Sequence, residues 1–242
     1  MTSLPSSPKI TLHPAPPSSF PTLAHIEHLA FEHHVFSDVA FGRIGRGTAE
    51  ALATRAAQME GLEKGRFVVA VAEEEGEGKI VGFAAWSEGE GKKKEEEGKV
   101  EGEKQVEGEK GEEDGEEKGI SWKERIKSAG GNLKLYEDVF VRGDEVMFGK
   151  CGDRPWIKLN VLVIHPSYQR RGIGTMLLEE GLKIADERKT QVVLGASKYG
   201  LGLYKRYGFE ELIVMEVDLE AYEGGQGMGR ETHAIMWRGA RE

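Results

Sequence analysis

Cysteine is nearly missing from this chain: Cys151 stands alone. One thiol excludes an intramolecular disulfide and suits a reducing compartment. Long apolar runs are missing too; none approaches the roughly 20 residues that cross a bilayer as a helix. Met1 to Pro21 is rich in Ser and Pro. It has neither an apolar signal core nor the arginines of a mitochondrial presequence. The expected location is therefore cytoplasmic or nucleocytoplasmic, with no membrane partner. A basic surplus is also lacking. The net charge is -9, but Ser87 to Gly119 alone holds 14 acidic and 7 basic residues, which leaves 28 acidic and 26 basic residues elsewhere. So neutral a remainder offers no basic face to a phosphate backbone, and nucleic acid is not an expected partner. His25, His28, His33 and His34 invite a metal reading through their i,i+3 spacing. No His-Glu-x-x-His pattern and no further cysteine supports it, so no metal is expected.

What is present reads as alternating strands and helices. Lys9 to His13 alternates apolar and polar residues, a short strand closed by Pro14, Pro16 and Pro17. Thr22 to His34 carries Leu23, Ile26, Leu29, Ala30 and Phe31 at helical spacing. Thr48 is placed to cap a second helix, Ala49 to Leu62. Arg66 to Glu73 and Lys79 to Glu88 read as a β-hairpin with Gly76 and Gly78 in its turn. Residues 89–119 are Glu, Lys and Gly with almost no apolar side chain. Such a stretch buries too little surface to offset its conformational entropy and is expected to be disordered. Trp122 to Gly149 regains an amphipathic, helical character. Leu159 to Ile164 is a buried strand, Ile173 to Arg188 a helix, and Val192 to Gly195 another buried strand. A short helix from Gly200 to Tyr207 ends at Gly208 as a left-handed cap. Glu211 to Leu219 and His233 to Trp237 supply the last strands. Mixed elements with one central crossover imply an α/β or α+β fold around one sheet.

The segment Gln169-Arg170-Arg171-Gly172-Ile173-Gly174-Thr175 lies between a strand and a helix. A helix N-terminus carries unpaired N–H groups and partial positive charge. Two arginines there are unfavourable by about 0.3–1 kcal/mol each, and no acidic residue between Gln169 and Leu178 offsets them. Cations at the wrong helix end make sense where an anion binds. Gly172 and Gly174 lack β-carbons, so a phosphate could approach the backbone closely. A solvated turn with a tight bend is the other reading of these residues.

Context separates the two. Val161-Leu-Val-Ile-His165-Pro166, then Gln169-Arg-Arg-Gly-Ile-Gly174, then Leu203-Tyr204-Lys-Arg-Tyr-Gly208-Phe209 resembles the GNAT acetyltransferase superfamily. The order of elements from Lys9 to Trp237 matches that fold apart from the insert. The resemblance implies a mixed, mostly antiparallel central sheet flanked by helices, ordered β-α-α-β-β-(insert/α)-β-α-β-α-β-β. It implies a single acetyltransferase domain over 9–88 and 120–242, beside the flexible tail over 1–8 and the acidic insert over 89–119 that composition already marks. It also implies acetyl-CoA as co-substrate and an amine as acceptor. By the same resemblance, Gln169, Arg170, Arg171, Gly172, Ile173, Gly174 and Thr175 would hold the CoA pyrophosphate. Main-chain groups of Leu162, Val163 and Ile164 would pair with pantetheine as an added strand. Tyr204 would protonate the departing thiolate; a packed aromatic is its plain alternative, and Tyr207, one turn on, is read as core.

Ser197 stands where many members carry Asn, and either bonds pantetheine or caps the short helix. Lys158 stands where some members place a basic Glu. Substitutes for that base and for acceptor contacts lie in the first helical region, at Glu32, His33, His34 and Asp38; a chain of waters is equally open. Cys151 has no adjacent base in sequence and is not cast as a nucleophile. The implied activity is N-acetyl transfer from acetyl-CoA to a primary amine by direct attack in a ternary complex. A CoA-binding sensor without turnover is one alternative. A peptide-directed enzyme recruiting basic tails through the insert is another. Small amines, polyamines, amino acids and protein amines all stay open as acceptors, and no feature of the sequence speaks to oligomeric state.

Overall fold

The computed structural model describes residues 8–42, 47–61, 65–74, 77–91 and 122–241. The tail, the interior of the Gly42–Gly47 loop and the insert beyond Gly91 lie outside them. In chain order the elements are β1 Lys9–Pro14, α1 Phe20–Phe31, α2 Val35–Phe41, α3 Ala49–Glu60, β2 Arg66–Glu74 and β3 Glu77–Gly89. Then come α4 Trp122–Ser128, α5 Leu133–Tyr136, a π turn Glu137–Val141, and α6 Arg142–Cys151. The chain closes with β4 Trp156–Ile164, α7 Ile173–Glu187, β5 Gln191–Ser197, α8 Leu201–Arg206, β6 Glu210–Asp218 and β7 Arg230–Arg238.

Among the described residues the strands form one seven-stranded sheet, ordered β1-β2-β3-β4-β5-β7-β6. Every neighbouring pair is antiparallel except β4 and β5. The expected mixed, mostly antiparallel sheet is what forms. Helix α7 is the crossover that a parallel pair requires. Its apolar stripe, Ile173, Leu177, Leu178, Leu182 and Ala185, is buried against one face of the sheet. Close approach depends on Gly181, where a β-carbon would lie 2.1 Å from the buried Trp86 ring. On the other face, α1 and α3 cover β2, β3 and β4 through Leu23, Ile26, Met59 and Phe83. Further along, α6 covers β5 and β7 through Met147, Cys151, Val193 and Ile235. Arg238, 2% exposed, ties three elements together. It donates to both carboxylate oxygens of Asp186 on α7, at 2.7 and 2.9 Å, and to the carbonyl of Tyr207 just after α8.

Several elements differ from expectation. The helix expected over Thr22 to His34 is α1, which ends at Phe31, and a separate short helix, α2, follows it from Val35. His34 takes an extended backbone (φ -95°, ψ 93°), which breaks the chain between them. The helical stretch expected over Trp122 to Gly149 is interrupted at Gly130, whose φ is +72°. The side chain of Asn132 then caps the next helix by accepting from the Leu135 amide. Strand β4 begins at Trp156 rather than Leu159, and β3 continues to Gly89, which pairs with Trp156. Gly89 therefore belongs to the sheet rather than to the insert.

Candidate active site

The parallel pair β4–β5 is where the sheet opens. Its register runs only from Trp156↔Gln191 to Leu159↔Leu194. Beyond that, β4 continues to Ile164 against β3 alone, and β5 continues to Ser197 against β7 alone. Asn160 starts the divergence: it is skipped between Trp86↔Leu159 and Ala85↔Val161, an irregularity that bends β4 away. The main chain of Val161 to Ile164, including predicted Leu162, Val163 and Ile164, thus has no ladder partner on β5. A fork of this kind accepts an extended ligand as an added strand. The apolar side chains go to the two cores: Leu162 and Ile164 to the α7 side, Val163 to the α1 side.

At the far end of β4 the predicted anion loop leads into α7. Gly172 is the N-cap with φ +81°, no side chain caps the helix, and its first turn holds no acidic residue. The first helical bond runs from Met176 N–H to Gly172 C=O. The amides of Ile173, Gly174 and Thr175 therefore have no intrahelical acceptor. Arg170 also takes a left-handed backbone, φ 63°, which costs a non-glycine residue about 1–2 kcal/mol. Side chains fix the loop locally. Gln169 donates to the Ile164 carbonyl at 3.2 Å, and Arg171 donates to the Ser167 carbonyl at 3.0 Å while lying over the Tyr168 ring. Arg170 and Arg171 are exposed at this positive helix end. A β-carbon at Gly172 would meet nothing within 4 Å, so the space there is open. At Gly174 it would only touch Leu162 and Leu203 at ordinary distances, so the fold itself does not require glycine there.

Tyr204 lies on α8, buried in the α7-side core, with its ring edge-on to Phe209. The ring packs over Gly200, where a β-carbon would come within 2.8 Å of it. Burial pushes its phenol up to about 12, so it holds its proton throughout the neutral range. Tyr207 instead donates to Glu179 at the surface. Ser197 lies outside the short helix. It is the last residue of β5, paired with His233, and the helix begins only at Leu201. It does not cap α8 either, whose N-cap is Gly200 with no side-chain bond.

The acceptor-side candidates separate. Glu32 and His33 are exposed at the α1–α2 break. Asp38 is buried within α2. His34 shares a hydrogen bond of 3.1 Å with Ser37 through Nδ1, and its ring meets Phe31, Phe36 and Tyr199 edge-on. Lys158 is held by both carboxylate oxygens of Asp144, at 2.6 and 2.7 Å. Cys151 is buried, which pushes its thiol up to about 11; that is no setting for a nucleophile.

The sequence reading missed His233. It lies on the α6 side of β7, stacked on Phe36 at 5.9 Å and edge-on to Phe140. Burial, and secondarily His34, push its imidazole down to about 4. The one clue in sequence was a polar residue at the head of an otherwise apolar strand. A cavity of about 390 Å³ lies elsewhere, between β6 and the π turn, lined by Asp138, Arg142, Glu145 and Tyr222 among others. It borders neither the fork nor the anion loop, so its size does not make it the reaction site.

Residues 135–211 match a family model described as Acetyltransferase (GNAT) domain. No match to the chain was found among curated proteins. Solved structures share the fold. A histone acetyltransferase HPA2 and related acetyltransferase from Corynebacterium glutamicum is 20% identical, with TM-score 0.55 and 98% of each chain covered. A mosquito arylalkylamine N-acetyltransferase like 5b is 15% identical, with TM-score 0.57, over 95% of this chain and 99% of that one. NAA60 from Arabidopsis thaliana, in complex with a bisubstrate analogue, is 13% identical, with TM-score 0.51, over 96% and 98%. No helix among the described residues is long and apolar enough to cross a membrane.

Proposed function

We propose that this chain, a member of the GNAT acetyltransferase superfamily, moves the acetyl group of acetyl-CoA to a primary amine by direct attack within the β4–β5 fork. The observation that carries this reading is the fork itself, with an anion-ready helix end beside it. A ligand with an extended amide-bearing arm and a pyrophosphate matches both at once. The free edge of Leu162 to Ile164 would pair with the arm, while the amides from Gly172 to Thr175, with Arg170 and Arg171, would hold the charged end. This placement leaves the thioester near the fork, with Tyr204 on one face and the aromatic cluster around His34 on the other. Tyr204 can then donate its proton as sulfur leaves. Burial, which raises the phenol to about 12, keeps that proton in place until a thiolate forms beside it.

The test is calorimetric titration with acetyl-CoA of the wild type and of Gly172→Glu, which puts a carboxylate where the pyrophosphate would sit. Binding in the micromolar range that the variant loses is expected. A folded wild type that does not bind acetyl-CoA would end the proposal.

A further inference from the structure

Sequence reasoning left the base that takes the acceptor's proton unassigned. The fork narrows the choice by geometry. Leu194 is the last β5 residue paired with β4, so Gly195 is the first residue past the fork. Gly195 is also where His233 sits: a β-carbon there would lie 2.4 Å from His233 Nε2. The glycine therefore makes room for an imidazole nitrogen directly over the point where the two strands part. Period two along β7 sends Ala234 and Met236 to the α7 side and Ile235 to the α6 side. His233 follows Ile235, so it lies on the face opposite Tyr204. Its ring is held by Phe36 and Phe140, and no hydrogen bond to either ring nitrogen is formed among the described residues. From there the aromatic wall runs through Phe36 and His34 to Tyr199, which is 74% exposed. These ring contacts connect the fork to the surface.

We propose that His233 is a catalytic base of this enzyme, accepting through Nε2 the proton of the attacking amine, with His34 and Tyr199 lining the acceptor's entry. The proposal rests on the acetyl-transfer reading above. The amine lone pair forms the C–N bond to the acetyl carbon and its proton passes to His233. The C–S bond breaks with its electron pair on sulfur, and Tyr204 protonates the thiolate. The imidazolium and the phenolate are then reset by proton exchange with water. The surroundings keep His233 neutral and also weaken it as a base, so it takes the proton once C–N bond formation has made the amine nitrogen acidic. On α2 the titratable groups are His34 and Asp38. Across β5 they are Tyr199 and Lys198, the latter paired with Glu231 at 2.9 Å. The π turn brings Phe140, and β6 places Met215 opposite in the register. The aromatic wall also favours an acceptor with an apolar or aromatic group beside its amine over a polycation.

The experiment uses the full chain, with 2-phenylethylamine as acceptor probe and spermidine as its polycationic counterpart. Calorimetry with acetyl-CoA comes first; failure of the wild type to bind sinks the acetyl-transfer reading and not this assignment alone. Given binding, the ring signals of His233, followed by NMR and assigned through His233→Gln, should shift on saturation with acetyl-CoA. Unmoved signals place the imidazole away from the thioester and overturn the proposal, whether or not either amine is a substrate. With 2-phenylethylamine turning over, His233→Gly should keep acetyl-CoA affinity and lose roughly 10²–10⁴-fold in kcat/KM. Added imidazole should restore part of it, which a purely structural role would not allow. Gly195→Ala, which displaces the ring without removing it, should depress kcat similarly. Full activity in His233→Gly, or a loss that imidazole leaves untouched, refutes the assignment. Spermidine preferred over 2-phenylethylamine refutes the acceptor class.

Discussion

Two side chains with shifted titration, the buried Tyr204 and the half-buried His233, can be followed directly. Tyr204 stays protonated because ionising it inside the core would strand a charge in a low-dielectric setting. Tyr204→Phe keeps the packing against Phe209 and removes only the proton donor. Turnover should fall about tenfold or more, with acetyl-CoA affinity nearly intact by calorimetry; unchanged turnover would return Tyr204 to the role of a core aromatic. His233 is shifted the other way, from 6.5 to about 4. Below pH 6.5 the unfolded chain binds a proton that the folded chain does not. The stability linked to His233 is therefore present above pH 6.5 and lost as pH falls towards 4, to a total of about 3 kcal/mol. Melting temperatures between pH 7 and 4 should fall less steeply for His233→Gln than for the wild type. Parallel curves would mean that the imidazole is not desolvated enough to shift its titration.

At the scale of elements, function depends on how near α7 comes to the sheet. Gly181 lets the helix rest on Trp86, and Ile173 fixes its other end in the same core. Gly181→Ala drives a methyl group into the indole and should cost about 1–3 kcal/mol in denaturant unfolding. Acetyl-CoA affinity should weaken with it, because the loop from Gln169 to Gly172 leads directly into the helix N-terminus. A variant as stable as the wild type would show that Trp86 can give way. The loop was readable from the sequence for a simple reason. Its glycines, arginines and missing acidic residues lie within seven positions, and a helix end is a local object. The division of the first helical region into α1 and α2 was not readable. Leu23 to Phe31 is followed by the helix-compatible Glu32-His33-His34 and then by a second apolar segment, which packs through Phe36 and Val39 against α5 and the π turn.

Over the whole molecule, strands from both sides of the acidic insert join one sheet. β3 ends at Gly89 and the chain returns to it as β4 at Trp156. Removing residues 92–118 should leave acetyl-CoA affinity unchanged. If the insert recruits basic acceptors, activity on a lysine-rich peptide should drop at low salt and activity on a small amine should not, since such attraction is screened within about 10 Å at 0.1 M salt. Equal activity on both would make the insert a spacer.

Local sequence was enough to determine the strand and helix periods, the glycine- and arginine-bearing loop before α7, the placement of Tyr204 on a short helix and the charge-rich insert. Each rests on residues within a few positions of one another, where backbone sterics and side-chain periodicity act directly. Tertiary structure alone decided the rest. The fork exists because β4 and β5 pair for four residues and then follow different neighbours. His233 becomes a reactive candidate only when β7 is laid beside β5, over the one residue with no side chain to obstruct it. Lys158 and Asp144 neutralise each other only when α6 packs on the sheet. Such relations join residues distant in the chain, and their free energy comes from burial that no local pattern encodes.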